Sequence, residues 1–142
     1  MTDYRFVEQI DDRLRPQLME LYRHEWWTNQ RREEDVARML AHTDLVVGVC
    51  ADPEDQLVGF ARVLTDRAFK ALIFDVIVSR AHRGTGLGRQ LMQYVLDHPM
   101  LADVGHIELY CKPELIPFYE QWGFTTTASD VNLMRKERAR SA

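Results

Sequence analysis

Residues 72–92, LIFDVIVSRAHRGTGLGRQLM, decide the fold of this chain. The apolar, β-branched run over 72–78 predicts a strand that is covered on both faces. Three glycines follow at alternate positions, Gly84, Gly86 and Gly88, and the apolar residues after them predict a helix. Glycine permits positive φ and lets a ligand approach bare amides, and a helix start carries unpaired N–H groups. The stretch therefore predicts a strand, an anion-binding turn and a helix.

The spacing of the turn narrows the kind of anion it binds. A Walker loop requires G-x-x-x-x-G-K-[ST], and the dinucleotide fingerprint requires G-x-G-x-x-G; neither is present. The pattern R-x-x-G-x-G is present as Arg83, Gly86 and Gly88. It resembles the acetyl-CoA motif of the GCN5-related N-acetyltransferase (GNAT) superfamily. The structural alternative is a turn that only lets the helix and strand pack closely.

A second motif lies downstream, with one predicted strand between the two. Residues 119–124 read YEQWGF, which resembles the Y-E-x-x-G-F signature near the end of many superfamily members. The resemblance covers residues 4–134. One departure is Cys111-Lys112-Pro113, where many members have an asparagine that holds the pantetheine arm, so that contact is not transferred to this chain.

The periodicities predict an α/β (α+β) architecture in one domain, 1–142, with a core over 4–134 and a charged tail over 135–142, and the resemblance implies that this is the GNAT fold. Its centre is a mixed, mostly antiparallel twisted sheet of six to seven strands flanked by about four helices. A parallel βαβ unit stands at the acetyl-CoA site. The strands are predicted over 4–10, 45–51, 56–65, 70–79, 106–111, 124–127 and 131–134, and the helices over 13–24, 33–41, 86–98 and 113–122.

The resemblance implies direct acetyl transfer from acetyl-CoA to a primary amine. It implies that Tyr119 is the general acid and that a backbone amide of the strand at Val76, Ile77 and Val78 binds the thioester carbonyl. The turn would hold the cofactor through Arg83, Gly84, Thr85, Gly86, Leu87, Gly88 and Arg89. A core tyrosine is the alternative for Tyr119, and a non-catalytic acyl-CoA-binding module is the alternative for the whole protein.

Two carboxylates are candidates for the base that deprotonates the amine. Asp75 lies within an apolar strand, and Glu108 lies on the neighbouring predicted strand. Strand alternation places Ile73, Asp75 and Ile77 on one face. If that face coincides with the face of Glu108, the two carboxylates approach each other and favour a cationic acceptor. A hydrogen-bonded structural acid is the alternative for each.

The adjacent Trp26 and Trp27 cannot both face the core from one side of a helix. One of them is predicted to line or cover a groove for the amine, and a packing corner between helices is the alternative.

Composition restricts the classes of molecule that the protein is expected to bind. A net charge of −4 at pH 7 argues against a nucleic-acid binder, and an apolar fraction of 46% is typical of a globular domain. Cys50 and Cys111 lie in apolar runs and are predicted to be buried free thiols, and no metal ligand spacing is present. A cytoplasmic protein without a membrane segment is expected, acting on a small-molecule amine or a protein amine, with a homodimer possible by analogy.

Overall fold

The computed structural model describes residues 2–126 and 130–139. The chain divides into two compact units, Met1–Tyr110 and Cys111–Ala142.

The first unit contains a five-stranded sheet in the order β1-β2-β3-β4-β5. Neighbouring strands are antiparallel except β4 and β5, which run parallel, so the predicted βαβ unit is confirmed. The strands are β1 (Asp3–Val7), β2 (Leu45–Asp52), β3 (Gln56–Thr65), β4 (Lys70–Val78) and β5 (His106–Leu109).

Three α-helices belong to the first unit, α1 (Arg15–Arg23), α2 (Glu33–Ala41) and α3 (Leu87–Leu96). The start of α1 follows from local chemistry. The carboxylate of Asp11 accepts hydrogen bonds from the amides of Leu14 at 2.9 Å and Arg13 at 3.1 Å. Pro16 then occupies the first turn, where its missing N–H costs little.

One face of the sheet is covered by α1 and α2. Their buried side chains include Leu18, Tyr22 and Val36, and they form one core cluster with Phe60 of β3 and Ile77 of β4. Helix α3 packs near β2, β3 and β4, with Leu91 and Val95 fully buried. This arrangement leaves the glycine turn, which precedes α3, at the end of β4.

A β-bulge in β4 breaks the predicted alternation. Phe60 pairs with Ile77, whereas Arg62, two residues along β3, pairs with Phe74, three residues along β4. Since paired residues share a face, Phe74 and Ile77 lie on the same face, and the extra residue falls between them. Asp75 sits there with φ 54°. The prediction that Ile73 shares a face with Ile77 is therefore wrong.

The second unit contains α4 (Ile116–Glu120), preceded by a 3-10 turn at Pro113–Leu115. Gly123 follows the helix with φ 89°, as the predicted C-terminal position requires. Two predicted strands are wrong: the described residues 124–126 and 130–139 contain none, and residue 127 lies outside the described part. The apolar side chains of Val131, Leu133 and Met134 are exposed, Met134 by 90%. Alternation alone forms no strand without a neighbour to accept its hydrogen bonds.

The cysteines differ from the prediction in one respect. Cys50 is buried in the core of the first unit, but Cys111 is exposed. Strand β5 ends at Leu109, before Cys111, so this thiol does not enter the sheet.

Candidate functional site

The glycine turn between β4 and α3 adopts backbone conformations that glycine takes up freely. Gly84 has φ 77° and Gly86 has φ 85°. A Cβ added at either position would meet no heavy atom of the described residues within 4 Å. Positive φ, not crowding, therefore requires glycine at these positions. The open space beside them lets a ligand approach the main chain.

The amides at the start of α3 are free to bind such a ligand. Within the described part of the chain, the amides of residues 84–89 donate no hydrogen bond, and the first that does is Gln90, to the carbonyl of Gly86 at 3.1 Å. No side chain caps the helix. Unpaired amides and the positive end of the helix dipole together make an anion site.

The hydroxyl of Thr85 closes the turn from within by donating to the carbonyl of His82 at 2.7 Å. Arg80 and Arg89 are exposed beside the turn and make no ion pair with any described residue. Both guanidiniums are therefore available to a phosphate.

Arg83 has partners of its own. Its Nε donates to the carbonyl of Val78 at 3.0 Å, and its Nη2 donates to the carboxylate of Glu25 at 2.7 Å. This side chain ties the turn to the end of β4 and to the loop between α1 and α2. Its contact with a diphosphate stays a prediction.

Strands β4 and β5 part beside the turn. They pair only from Lys70 with His106 to Ile73 with Leu109. The remainder of β4, 74–78, pairs with β3 alone among the described strands. Val76, Ile77 and Val78 therefore lie on a strand with one open edge, where a backbone amide can bind a carbonyl oxygen.

Asp75 is held at the bulge by four hydrogen bonds from three side chains. Arg31 donates to both of its carboxylate oxygens, at 2.6 and 3.2 Å, Arg62 donates through Nε at 2.7 Å, and the hydroxyl of Tyr22 donates at 3.0 Å. Burial raises the pKa of Asp75, but the hydrogen bonds and charges of the two arginines outweigh it, and the pKa is lowered. The carboxylate is therefore ionised and fully engaged.

Glu108 lies on the same face of the sheet as Arg62, a hydrogen-bond partner of Asp75. It pairs with Leu72, which alternates with Phe74 and so lies on the face of Arg62. Its own partner is the ammonium of Lys70, 2.9 Å away. Each of the two carboxylates thus has its own cationic partner.

Tyr119 lies on α4 in the second unit and is buried. The rings of Phe118 and Phe124 pack edge-on against it, with centroids at 5.0 and 6.1 Å. Burial, together with the charge of Cys111, raises the pKa of Tyr119 to about 12. The phenol therefore keeps its proton at neutral and moderately alkaline pH.

Trp26 and Trp27 lie in the loop between α1 and α2, which also carries Glu25. Their side chains are 64% and 40% exposed, and their rings meet edge-to-face at 5.7 Å. Thr28 fixes the loop from beneath, because its buried hydroxyl donates to the carbonyl of Tyr22 at 2.8 Å. The loop thus presents two aromatic rings at the surface, and their role in amine binding stays a prediction.

Sequence reasoning missed four residues of this region, namely Tyr22, Glu25, Arg31 and Arg62. Arg62 could have been found from the sequence. A cation within the apolar run of β3 requires a buried partner, just as Asp75 does in β4. Nothing in the sequence indicated Glu25 and Arg31, because their partners lie far away in sequence.

Two further features concern other kinds of site. Among residues 2–126 and 130–139, no three or more histidine, cysteine or carboxylate side chains are arranged to hold a metal ion. None of the helices in that part combines the length and apolarity needed to cross a bilayer.

Comparisons with known proteins identify the family of this chain. Residues 10–134 match the family described as acetyltransferase (GNAT) domain. The serotonin N-acetyltransferase 2 (chloroplastic) of Oryza sativa subsp. japonica is 31% identical over 113 residues, which are 78% of this chain and 56% of that protein. The chain spans about half the length of the curated relatives it matches.

Solved structures share the fold. A GNAT-family protein from Xanthomonas campestris pv. campestris superposes with a TM-score of 0.81 at 26% identity, covering 96% of this chain and 94% of that one. A protein from Clostridium acetobutylicum, crystallised with acetyl-CoA, superposes with a TM-score of 0.67 at 17% identity, covering 94% and 96%. The family match extends over both motifs, and the chain belongs to the GCN5-related N-acetyltransferase family.

Proposed function

We propose that this protein transfers an acetyl group from acetyl-CoA directly to a primary amine. The observation that carries the proposal is the set of free amides over residues 84–89, which stands beside the open edge of β4. A diphosphate suits those amides, and a thioester carbonyl suits the open strand. The Clostridium relative in fold was crystallised with acetyl-CoA, which supports the same cofactor here.

The reaction sets the roles. The amine nitrogen attacks the thioester carbonyl, the N–C bond forms, the C–S bond breaks, and the proton lost by the amine balances the proton gained by the thiolate. Charge develops first on the carbonyl oxygen, and a backbone N–H of Val76, Ile77 or Val78 is the proposed donor to it. No covalent enzyme intermediate is needed.

Tyr119 is the proposed donor to the leaving sulfur. A thiol resembling cysteine has a pKa near about 8.5, so full proton transfer from a phenol whose pKa is about 12 is uphill. A hydrogen bond that strengthens as charge grows on sulfur avoids this cost. The raised pKa keeps that donor protonated at the pH values where more of the amine is neutral.

Of the two candidate carboxylates, we propose Glu108 and not Asp75 as the base. Asp75 is a weak base because its pKa is lowered and its oxygens already accept four hydrogen bonds from Tyr22, Arg31 and Arg62. We propose that it orients the two arginines. Glu108 is half exposed, and among the described residues Lys70 alone pairs with its carboxylate; it is the proposed base, acting through water.

The proposal is tested by thiol release from acetyl-CoA in the presence of a panel of small amines and of peptides with a free lysine or N-terminal amine. We expect amine-dependent release. Calorimetry on the same protein should detect acetyl-CoA binding. Binding without release for any amine would favour a non-catalytic acyl-CoA-binding module, and no binding at all would overturn the proposal.

Tyr119→Phe is expected to lower kcat by about 10²-fold, as the loss of one hydrogen-bond donor to a charge that develops in the transition state does. The dissociation constant of acetyl-CoA should change little, since the ring and its packing remain. Tyr94→Phe is the matched control: Tyr94 lies on α3, where its hydroxyl donates to Glu8, and its loss should leave kcat unaltered. Equal kcat for Tyr119→Phe and the unmodified protein across the pH range would remove Tyr119 from this role.

A further inference from the structure

The cluster around Asp75 carries an excess of positive charge. Two guanidiniums, those of Arg31 and Arg62, share a single carboxylate. The third partner, Tyr22, is neutral, because its pKa is raised far above neutral pH, chiefly by burial. A cluster with one arginine would have been balanced. The second guanidinium therefore calls for an explanation beyond the stabilisation of Asp75.

Arg62 has unused donors. Its Nε is committed to Asp75, but Nη1 and Nη2 donate no hydrogen bond to any described residue. Both nitrogens have access to solvent. In the described part of the chain, Nε of Arg15 is the one side-chain nitrogen or oxygen that is both buried and without a hydrogen-bond partner. The side chain is only 12% exposed. Nη1 and Nη2 thus form a cationic fork of two parallel N–H groups on a side chain that is otherwise almost buried. This is the geometry that binds a carboxylate in a bidentate manner.

An aromatic ring lies next to this fork. The guanidinium of Arg62 lies 4.7 Å from the ring centroid of Phe74, and the ring of Tyr110 meets Phe74 edge-on at 6.1 Å. The ring lies against the guanidinium, whose side chain is largely buried, and burial strengthens the attraction of the guanidinium for an anion. An anion bound here would leave the cluster neutral.

The fork also lies beside the strand that is proposed to hold the thioester. Asp75 orients Arg62 at the bulge, and Val76 is the next residue of the edge, 74–78, that β5 leaves open. Arg62 pairs with Phe74, two residues before Val76, so a molecule held by Arg62 would lie close to the proposed thioester position. The anion that fits this position is part of the acceptor.

We propose that the acceptor carries a carboxylate close to its primary amine and that Nη1 and Nη2 of Arg62 bind this carboxylate. Arg31 is a positioning residue, because its bidentate pair with Asp75 fixes the carboxylate that in turn orients Arg62. The inference rests on the proposed acetyl transfer and leaves its bond changes as given above. It narrows the acceptor to amines of the amino-acid type, with an aromatic or aliphatic side chain against Phe74.

The test compares matched acceptors that differ only in the carboxylate, phenylalanine with phenethylamine and tryptophan with tryptamine. With saturating acetyl-CoA, we expect Arg62→Gln to raise KM for each amino acid at least about tenfold, the cost of one charged hydrogen-bonded contact. KM for each decarboxylated amine should stay within about twofold. Arg62→Lys should restore part of the amino-acid KM, since it keeps the charge and loses the fork.

Comparing each variant with the unmodified protein cancels the different basicity of the two amines in a pair. A purely structural role for Arg62 would raise KM or lower kcat equally for both members, and that result overturns the inference while acetyl transfer stands. A second result also overturns the inference: the unmodified protein prefers the decarboxylated amines, and Arg62→Gln does not alter this preference.

A second measurement does not depend on turnover or on a variant that folds. The unmodified protein is titrated by calorimetry with 3-phenylpropionate, which has the carboxylate and ring but no amine, and with 3-phenylpropanol as the control. We expect binding of the acid at least about tenfold tighter than of the alcohol. Equal or absent binding of the two overturns the carboxylate site. Binding of the acid by a protein that acetylates no amine would retain the anion site and refute the proposed function.

Discussion

Asp75→Asn is expected to lower the free energy of unfolding by about 3 kcal/mol. Removing one partner of a buried ion pair costs about 3–5 kcal/mol because the remaining charge is left uncompensated. Here two guanidiniums, Arg31 and Arg62, would face a neutral amide. Asparagine keeps the volume of the side chain and tolerates the left-handed conformation at φ 54°. The loss therefore reports the missing charge. Urea unfolding measures it as a lower midpoint at an unchanged slope.

Glu108→Gln is the matched control for this prediction. Its carboxylate also has a cationic partner, Lys70, but both side chains are about half exposed. An exposed pair of this kind contributes at most about 1 kcal/mol. Similar losses for the two variants would show that burial of Asp75 between the arginines does not set its importance.

The stability difference between the unmodified protein and Asp75→Asn should depend on pH in a defined way. The folded pKa of Asp75 is lowered, since the arginines outweigh the effect of burial. Its contribution to stability is therefore fully present above the ordinary aspartate pKa of about 3.9 and is lost as pH falls through the lower folded pKa. The difference in unfolding free energy between the unmodified protein and Asp75→Asn should be constant at neutral pH and shrink only in acid. A difference that grew in acid would contradict the ionised state of Asp75.

Much of the fold could be predicted because its signals are local. The apolar run of β4, the glycines after it and the apolar stripe of α3 each lie within a few residues. The short connections required antiparallel neighbours, and the helical crossover required a parallel pair of β4 and β5. Positive φ at Gly84 and Gly86 follows from the same local reasoning.

The contacts that organise the site were beyond such reasoning. A bulge is specified by the register of two strands, so the sequence of β4 alone predicted simple alternation through Asp75. The partners of that carboxylate come from β3 and from the loop after α1, and Glu25 reaches Arg83 across 58 positions. Periodicity also predicted a strand at 131–134, where the structure leaves the apolar side chains exposed. Pairing between distant segments decides these features.

Gly86→Val is expected to raise the dissociation constant of acetyl-CoA by about 10²- to 10⁴-fold. A β-branched residue is strongly disfavoured at φ 85°, so the turn would relax and redirect the amides that follow it. Charge-assisted hydrogen bonds contribute about 1.5–3 kcal/mol each. Losing two of them, at Leu87 and Gly88, removes about 3–6 kcal/mol, and each 1.4 kcal/mol is tenfold in affinity. The isopropyl group would also occupy the open space beside the turn. Calorimetry with acetyl-CoA measures the change.

Gly105→Ala is the matched control for Gly86→Val. Gly105 precedes β5 without a positive φ, and its added Cβ would come no closer than 3.6 Å to the carbonyl oxygen of Phe69, an ordinary contact. This variant should bind acetyl-CoA as the unmodified protein does. Urea unfolding of both variants separates lost affinity from lost folding, because Gly86→Val must be shown to be folded at the temperature of the titration. A folded Gly86→Val protein that still binds acetyl-CoA with unaltered affinity would mean that the diphosphate is held elsewhere than on the amides of this turn.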